Sequence, residues 1–525
     1  MLMPPEGRIH FYLRSLLFAI YFIHGIIAIN YNSVVSDESE HLYYGLRVLD
    51  GKPQKVYADD ASTQPVSALN ALPRAIEQLT HPGLKKTDGG VSDTIHGRYI
   101  TLLFCFFIGL YIYRWSKELY GNNAGLFSLF LFTFCPNLQA NIPLVGTDAF
   151  AALCTLTSAY YFRKFVIYSG WRYLILFSAQ IGLGLIVKQS LFLLPLFYGT
   201  IALVILVQRK SLFKHARTNL LRLFVHVSVV LFIINAAFLF VGTGHSLDRY
   251  QFKSETFRQL QQVPLMAAVP LPLPTPFVEG YDGVKQMISI GSGHSQVSGR
   301  SYLLGRYFTG NSLWYYYSVV ILFKTPLSVL VLLTLAIALN FKTMFKRAEF
   351  FRFTFPFVLA LFFLLFISLN NTSQHGLRHL LMIYPLIYVM LGTIVQRNFV
   401  KPVFTAIIIL YSLATFYFYF PNLLSYTNEL IWNKTNAYKV LASTNIDHGQ
   451  GGYAVKNYLL HHPDVQWADT VPATGKLLIG INDYLDLKAT GRYQWIRKFA
   501  PVGNVNHCYL LFAISEKDLE EKNLK

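Results

Sequence analysis

Three carboxylates and a histidine crowd into Asp37-Glu38-Ser39-Glu40-His41, directly after the first long apolar run. A further acid, Asp148, follows Thr147 at the start of another apolar run, and cations stand elsewhere in the chain at Lys188, Lys324 and the pair Arg378-His379. Paired acids facing basic residues suit general-base catalysis and the orientation of an acceptor. Lysine and arginine suit a departing phosphate, arginine because its planar fork matches phosphate oxygens. Most of these residues also have a plainer reading. Asp148 could be a helix N-cap. Lys188 could be an interfacial residue, and Lys324 could snorkel to the interface if its helix begins only at Pro326. Arg378-His379 could anchor lipid headgroups, although a basic pair at a helix start opposes the helix dipole, a conflict that a bound phosphate would resolve. Asp37 lacks such an alternative, because it follows a helix instead of starting one. Glu38, Glu40 and His41 could bind a divalent ion, but so short a cluster leaves metal use unassigned.

These residues need elements to carry them, and the composition says which. The 525-residue chain is 53% hydrophobic and 14% charged, with a mean hydropathy of +0.38. Soluble proteins carry roughly 25% charged residues, so lipid is the expected solvent. The net charge of +18 does not form one patch but falls in short clusters between apolar runs. That is a topology signal and argues against nucleic-acid binding. Cys105, Cys135, Cys154 and Cys508 show no zinc spacing. The basic N-terminus with Arg8 and Arg14 leads into a run without a small-residue cleavage site, so a retained first span is expected.

Runs long enough to cross a membrane lie near 11–30, 98–114, 123–139, 149–166, 173–187, 190–207, 221–242, 313–339, 350–369, 379–396 and 402–420, which predicts about eleven transmembrane helices. Basic residues cluster on alternate connectors, for example Arg114 and Lys117, Arg163 and Lys164, and Lys342, Lys346 and Arg347. Those connectors are expected to face the cytoplasm. Asp37, Glu38, Asp148, Lys188, His375, Arg378 and His379 then share the opposite, non-cytoplasmic face. Two long connections are expected there, a first catalytic loop over 31–97 and a second over 243–312. The second reads as extended chain around Pro264–Pro276 and as a flexible loop over 291–299. The part from 1 to 420 forms the membrane domain in this reading. Residues 421–525 have soluble composition and predict a small α/β domain, with a helix over 452–461, strands over 476–481 and 508–514, and a terminal helix from 516.

In order and spacing these segments resemble the C-type (GT-C) membrane glycosyltransferases that use a lipid-phosphate sugar donor, of the protein O-mannosyltransferase and aminoarabinose-transferase type. The likeness is carried by Asp37-Glu38 with His41 and Gly45, Leu119-Tyr120-Gly121 with Ala124-Gly125-Leu126, Pro136-Asn137, Thr147-Asp148, and Gly182-Leu183 leading to Lys188. It continues through Gly305, Trp314-Tyr315-Tyr316, Lys324-Thr325-Pro326, Gly376-Leu377-Arg378-His379, Tyr384-Pro385, Phe420-Pro421, Tyr426, Asn428-Glu429 and Asn445-Ile446-Asp447-His448-Gly449-Gln450. The resemblance implies a sugar transfer with inversion from a polyprenyl-phosphate carrier to a protein, lipid or glycan acceptor. It casts Asp37 as the base, Glu38 and Asp148 as its partners in the site, and Lys188, Lys324, Arg378 and His379 as holders of the carrier phosphate. Some relatives bind a divalent metal, for which no clear ligand set is present. The chain departs from the pattern at Thr63-Gln64-Pro65-Val66, where His-Pro-Pro-Leu is frequent, and at Asp447-His448-Gly449-Gln450, where Asp-Trp-Gly-Gln is common. Both departures bear on the acceptor more than on the reaction. The second long connection is too short for a β-trefoil module, which implies a bacterial inner membrane. The alternative is a transporter or flippase for a lipid-linked saccharide, which would place its polar groups near the bilayer midplane and show repeat symmetry.

Overall fold

The computed structural model describes residues 7–54, 64–81, 90–208, 215–290, 300–309, 312–374, 376–396 and 402–524. Helix α1 (Arg8–Tyr31) is followed by α2 (Glu38–Leu49), α3 (Ser67–Thr80), α4 (Val91–Tyr120), α5 (Asn122–Thr133), α6 (Pro136–Asn141), α7 (Asp148–Tyr168), α8 (Trp171–Val187), α9 (Leu193–Gln208) and α10 (Ala216–Ala237). Next come α11 (Glu255–Gln261), α12 (Pro264–Ala268), α13 (Thr275–Ile290), the strands β1 (Ser301–Leu303) and β2 (Arg306–Phe308), and then α14 (Tyr316–Lys324), α15 (Leu327–Met344), α16 (Phe355–Asn370), α17 (Tyr384–Gln396) and α18 (Pro402–Tyr419). The C-terminal part adds α19 (Gly452–His461), β3 (Val465–Trp467), β4 (Gly475–Gly480), α20 (Ile481–Tyr484), β5 (Gly503–Val505), β6 (Tyr509–Ile514) and α21 (Glu516–Glu521).

The molecule is a predominantly helical membrane protein with small sheets towards its C-terminus. Each of the predicted apolar runs contains helix, but only eight helices among the described residues are long and apolar enough to span a bilayer. The rest fall short for separate reasons. Helix α8 is short, α5 stops before Pro136, and α7 carries Asp148, Arg163 and Lys164. The span 377–396, which contains α17, is 83% buried and forms the centre of the bundle, whereas the 11% buried α10 lies at its rim.

The described residues of both long connections form more helix than their polarity suggests. The segment 31–97 holds α2, α3 and the first turns of α4. Gly45 makes the pairing of α2 with α3 possible, because a Cβ there would strike the Ser67 carbonyl. Residues 55–63 and 82–89 lie outside the described residues, as do His375 and the glycine-rich 291–299. Segment 243–312 is likewise not extended chain: it contains α11, α12 and α13 and ends in the β1–β2 hairpin. That hairpin turns at Leu304-Gly305, both with positive φ, the geometry a two-residue turn requires.

The C-terminal sheet has the order β3-β4-β6-β5, with β3 parallel to β4 and the other pairs antiparallel. Leu477, Leu478, Ile479, Leu510 and Phe512 are buried within it. The helix over 452–461 is found with the predicted bounds, and the two central strands lie within one residue of the predicted ones.

Candidate active site

The turn between α1 and α2 is built on a buried ion pair. Arg98 of α4 directs five N–H bonds into this corner. Its Nε and one Nη grip the two Glu38 oxygens at 2.8 and 2.6 Å, and its remaining donors reach the carbonyls of Ile29, Asn32 and Ser33 at 3.2, 2.7 and 2.8 Å. The three carbonyls belong to the end of α1, where helical partners run out. Glu38 also accepts the backbone N–H groups of Val35 and Val145, both at 2.9 Å. The side chains of Arg98 and Glu38 are 1% and 0% exposed. With four donors already on its carboxylate and no exposure, Glu38 has no oxygen to offer a substrate. The structure therefore gives it a supporting place instead of the catalytic one expected.

Asp37, by contrast, faces outward, with 37% of its side chain exposed. It stands at the start of α2, which the sequence reading did not anticipate, yet its side chain caps no backbone N–H. Instead it pairs with Arg378, while its Oδ1 accepts from Ser36 Oγ at 3.1 Å and lies 3.6 Å from His448 Nε2. Burial alone would push the Asp37 carboxyl up. The Arg378 guanidinium and His448 outweigh that and hold it well below the usual carboxylate range.

His448 is delivered by a tight turn docked against the same corner. Gly449 has φ +95, which a side-chain-bearing residue rarely adopts. Asp447 Oδ1 accepts the Gly449 N–H at 2.9 Å, and Gln450 Oε1 accepts the His448 N–H at 2.7 Å. Backbone bonds run from Ser33 N to Gln450 O at 3.0 Å and from Ser36 N to His448 O at 3.3 Å, and Ser33 Oγ donates to Gly449 O at 2.6 Å. The turn and the acidic corner are thus stitched together over four hundred residues of chain. Sequence reading registered His448 only as a departure from a family pattern and Arg98 only as the start of a span. The available signal for Arg98 was a lone arginine at the start of an apolar run, with its partner acid sixty residues away in the chain.

Asp148 and Lys188 form a second ion pair, each side chain less than a fifth exposed. Arg378 lies within electrostatic reach of Asp148 as well as in contact with Asp37, so it links the two pairs. The Nε of Arg378 has no hydrogen-bond partner among the described residues. His379 Nδ1 meets Asn371 Nδ2 at 3.1 Å, and the same amide donates to Tyr317 Oη at 2.8 Å.

Lys324 takes a different place from the one expected. The apolar run 313–339 is two helices, α14 and α15, separated at Thr325-Pro326 because proline lacks the N–H needed to continue the ladder. Lys324 closes α14, buried, with Nζ donating to Leu424 O at 2.8 Å and Asn445 O at 2.6 Å. The carbonyls stranded at the break are met by side-chain amides. Asn137 reaches Lys324 O at 2.6 Å, and Asn428 reaches Leu322 O and Thr325 O at 2.6 and 2.8 Å. Asn445 in turn accepts the Leu377 N–H at 3.0 Å, next to Arg378. Lys324 is a strut that fixes the Arg378 segment from behind.

The divalent-ion reading of the first acidic cluster does not fit. Glu38 is committed to Arg98, His41 Nδ1 meets Ser67 Oγ at 3.2 Å, and among the described residues no three His, Cys, Asp or Glu side chains form a metal-holding group.

Residues 91–237 match the family model described as dolichyl-phosphate-mannose-protein mannosyltransferase, and the chain is a membrane glycosyltransferase. Solved structures similar to it include ArnT from Cupriavidus metallidurans bound to undecaprenyl phosphate, at 12% identity over 91% of this chain and 75% of that one, with a TM-score of 0.48. The apo Archaeoglobus fulgidus oligosaccharyltransferase is similar at 13% identity over 76% of this chain and 55% of that one, with a TM-score of 0.46. AglB from the same organism, in complex with an inhibitory peptide and a dolichol-phosphate, is similar at 13% identity over 77% of this chain and 54% of that one, with a TM-score of 0.44. No curated protein matches the chain.

Proposed function

We propose that this membrane glycosyltransferase moves a sugar from a polyprenyl-phosphate donor to an acceptor on the non-cytoplasmic face, with inversion and with Asp37 as the general base. The observation that carries the reading is the outward-facing Asp37 carboxylate in contact with Arg378, which also bridges towards Asp148 and Lys188. In one displacement, the acceptor heteroatom attacks the anomeric carbon as the carbon–oxygen bond to phosphate breaks. The bonding pair leaves with the phosphate, and Asp37 takes the acceptor proton. Arg378 and Lys188 meet the departing negative charge, and the unpartnered Arg378 Nε is a donor for a phosphate oxygen. Asp148 holds Lys188 in place, His379 borders the phosphate side, and Lys324 and Glu38 act through the backbone they fix. The bacterial inner membrane is the location this reading favours, with residues 421–525 as an outward-facing module. The transporter alternative gains no support from acids placed at helix ends.

The test is mass spectrometry of glycans and lipids from cells carrying the wild-type gene, no gene, or Asp37→Asn. The expected result is that Asp37→Asn reproduces the gene-free profile, a loss of about 10²-fold or more in transfer. A wild-type profile from a variant inserted at normal level removes Asp37 as the base.

A further inference from the structure

Beyond α10 the chain forms a short arm whose tip is apolar and uncovered. Leu260, Val263, Leu265, Met266 and Val269 are all exposed, Leu265 to 79%. From Gln259 to Val278 no residue carries a charge. A contiguous apolar group left outside the core of a protein marks a contact with something other than water.

The bonds that pin the arm fix where its tip lies. Gly244 N–H donates to Leu271 O at 2.9 Å, Leu271 N–H to His245 O at 3.1 Å and Thr275 N–H to Val241 O at 2.9 Å. Both limbs of the arm are therefore fastened just beyond Ala237, the last residue of α10. Gln261 Nε2 donates to Leu247 O at 2.7 Å and to Tyr250 O at 2.9 Å, which folds α11 and α12 back towards that stem. The tip thus stays close to the end of α10. That helix is the rim of the bundle, with Phe224 and Phe232 facing outward, and the exposed Leu239 and Phe240 continue its apolar surface along the chain towards the arm.

The backbone suits the same surroundings. Pro264, Pro270, Pro272, Pro274 and Pro276 have no N–H to satisfy. The N–H groups of Val263, Met266, Ala267, Leu271 and Thr275 are spent on carbonyls of the arm or its stem. Unsatisfied backbone groups are what bar irregular chain from lipid, so this composition lowers the cost of bringing the arm into the membrane interface. On α11, helical spacing sets Glu255, Arg258 and Gln259 on one face and Leu260 on the opposite one.

We propose that the arm over 259–276 is an interfacial anchor. Its tip, centred on Leu265 and Met266, is seated in the lipid leaflet beside the end of α10, with the Glu255–Arg258 face turned to the headgroups. Segments of this kind sink about 5–10 Å into the headgroup and acyl boundary. A bilayer fits the tip better than a protein does, because Gln259 to Pro276 contains none of the Trp, Tyr or Arg anchors that dominate protein interfaces. Helix α13 leads away from the arm, and its Tyr281 Oη donates to Gln189 O at 3.4 Å, next to Lys188. The anchor therefore ties the Lys188 segment to the leaflet. Seating in lipid does not depend on which reaction the site performs.

Spin-label accessibility in the full-length protein tests this, in vesicles of phosphatidylethanolamine and phosphatidylglycerol. All four native cysteines are buried, so a thiol label reports the added position. Leu265→Cys and Met266→Cys replace exposed side chains, Phe232→Cys on α10 is the lipid reference, and Lys476→Cys on β4 is the aqueous one. Collision of each label is measured with oxygen, which partitions into lipid, and with a water-soluble nickel chelate. The oxygen-to-nickel ratio at Leu265 and Met266 should lie close to that at Phe232 and well above that at Lys476. A ratio at either tip position equal to that at Lys476 puts the arm in water and overturns the anchor. Labels shielded from both reagents show that protein covers the tip, a second copy or another partner, and overturn it equally.

Discussion

Arg98 and Glu38 show how two adjacent acids acquire opposite duties. Glu38 points inward to a guanidinium that also gathers the last carbonyls of α1, and Asp37 is left facing the solvent side of the same turn. Removing one member of a buried pair leaves an uncompensated charge, at a cost of about 3–5 kcal/mol. Arg98→Met should therefore lower thermal stability in detergent far more than Arg378→Met, whose carboxylate partner is partly exposed. Replacing Glu38 and Arg98 together with Met should recover part of the loss, as a double-mutant cycle in thermal unfolding would show. Asp37 contributes to acid stability with a definite sign. Its carboxyl is held below its unfolded value, so its contribution is present above about pH 4 and is lost as pH falls through the folded value. Asp37→Asn should flatten that part of the stability-against-pH curve while leaving the neutral-pH fold intact.

At the scale of elements, the site depends on breaks more than on regular helix. The gap between α14 and α15 exists because of Pro326, and the amides of Asn137 and Asn428 fill the hydrogen bonds it opens. Asn428→Leu would strand two carbonyls and should cost about 1–3 kcal/mol. It should also weaken donor use, read as a raised apparent KM, because Lys324 and Asn445 tie this break to Leu377 and Arg378. The 447–450 turn behaves similarly. Gly449→Val forces a branched side chain into a positive-φ position and should displace His448, so transfer falls by more than stability does. Comparison of product level with the unfolding temperature of the same variant checks this.

At the scale of the whole molecule, the arrangement of basic connectors makes a topology prediction. Lys476 on the C-terminal sheet and Lys342 near the end of α15 are both exposed and should lie on opposite sides of the membrane. All four native cysteines are buried, so single added cysteines are readable. Lys476→Cys should react with a membrane-impermeant maleimide on intact spheroplasts, and Lys342→Cys only after permeabilisation. The reverse pattern would put the Asp37 corner on the cytoplasmic side.

Hydropathy, the clustering of basic residues and a few charged residues in apolar surroundings determined that this is a helical membrane protein. A chain this apolar must hide its backbone polar groups in helices, and positive charge resists crossing the bilayer. They also pointed to Asp37 and Arg378 as residues that belong together. Contacts between distant segments decided the rest. Nothing local distinguishes Glu38 from Asp37 until Arg98 claims one of them. Lys324 reads as a phosphate ligand until the Leu424 and Asn445 carbonyls occupy it, and His448 has no role until its turn docks on Ser33 and Ser36. Local patterning reports what a segment prefers, whereas the pairing of a buried charge is settled only by what the folded chain brings within hydrogen-bond distance.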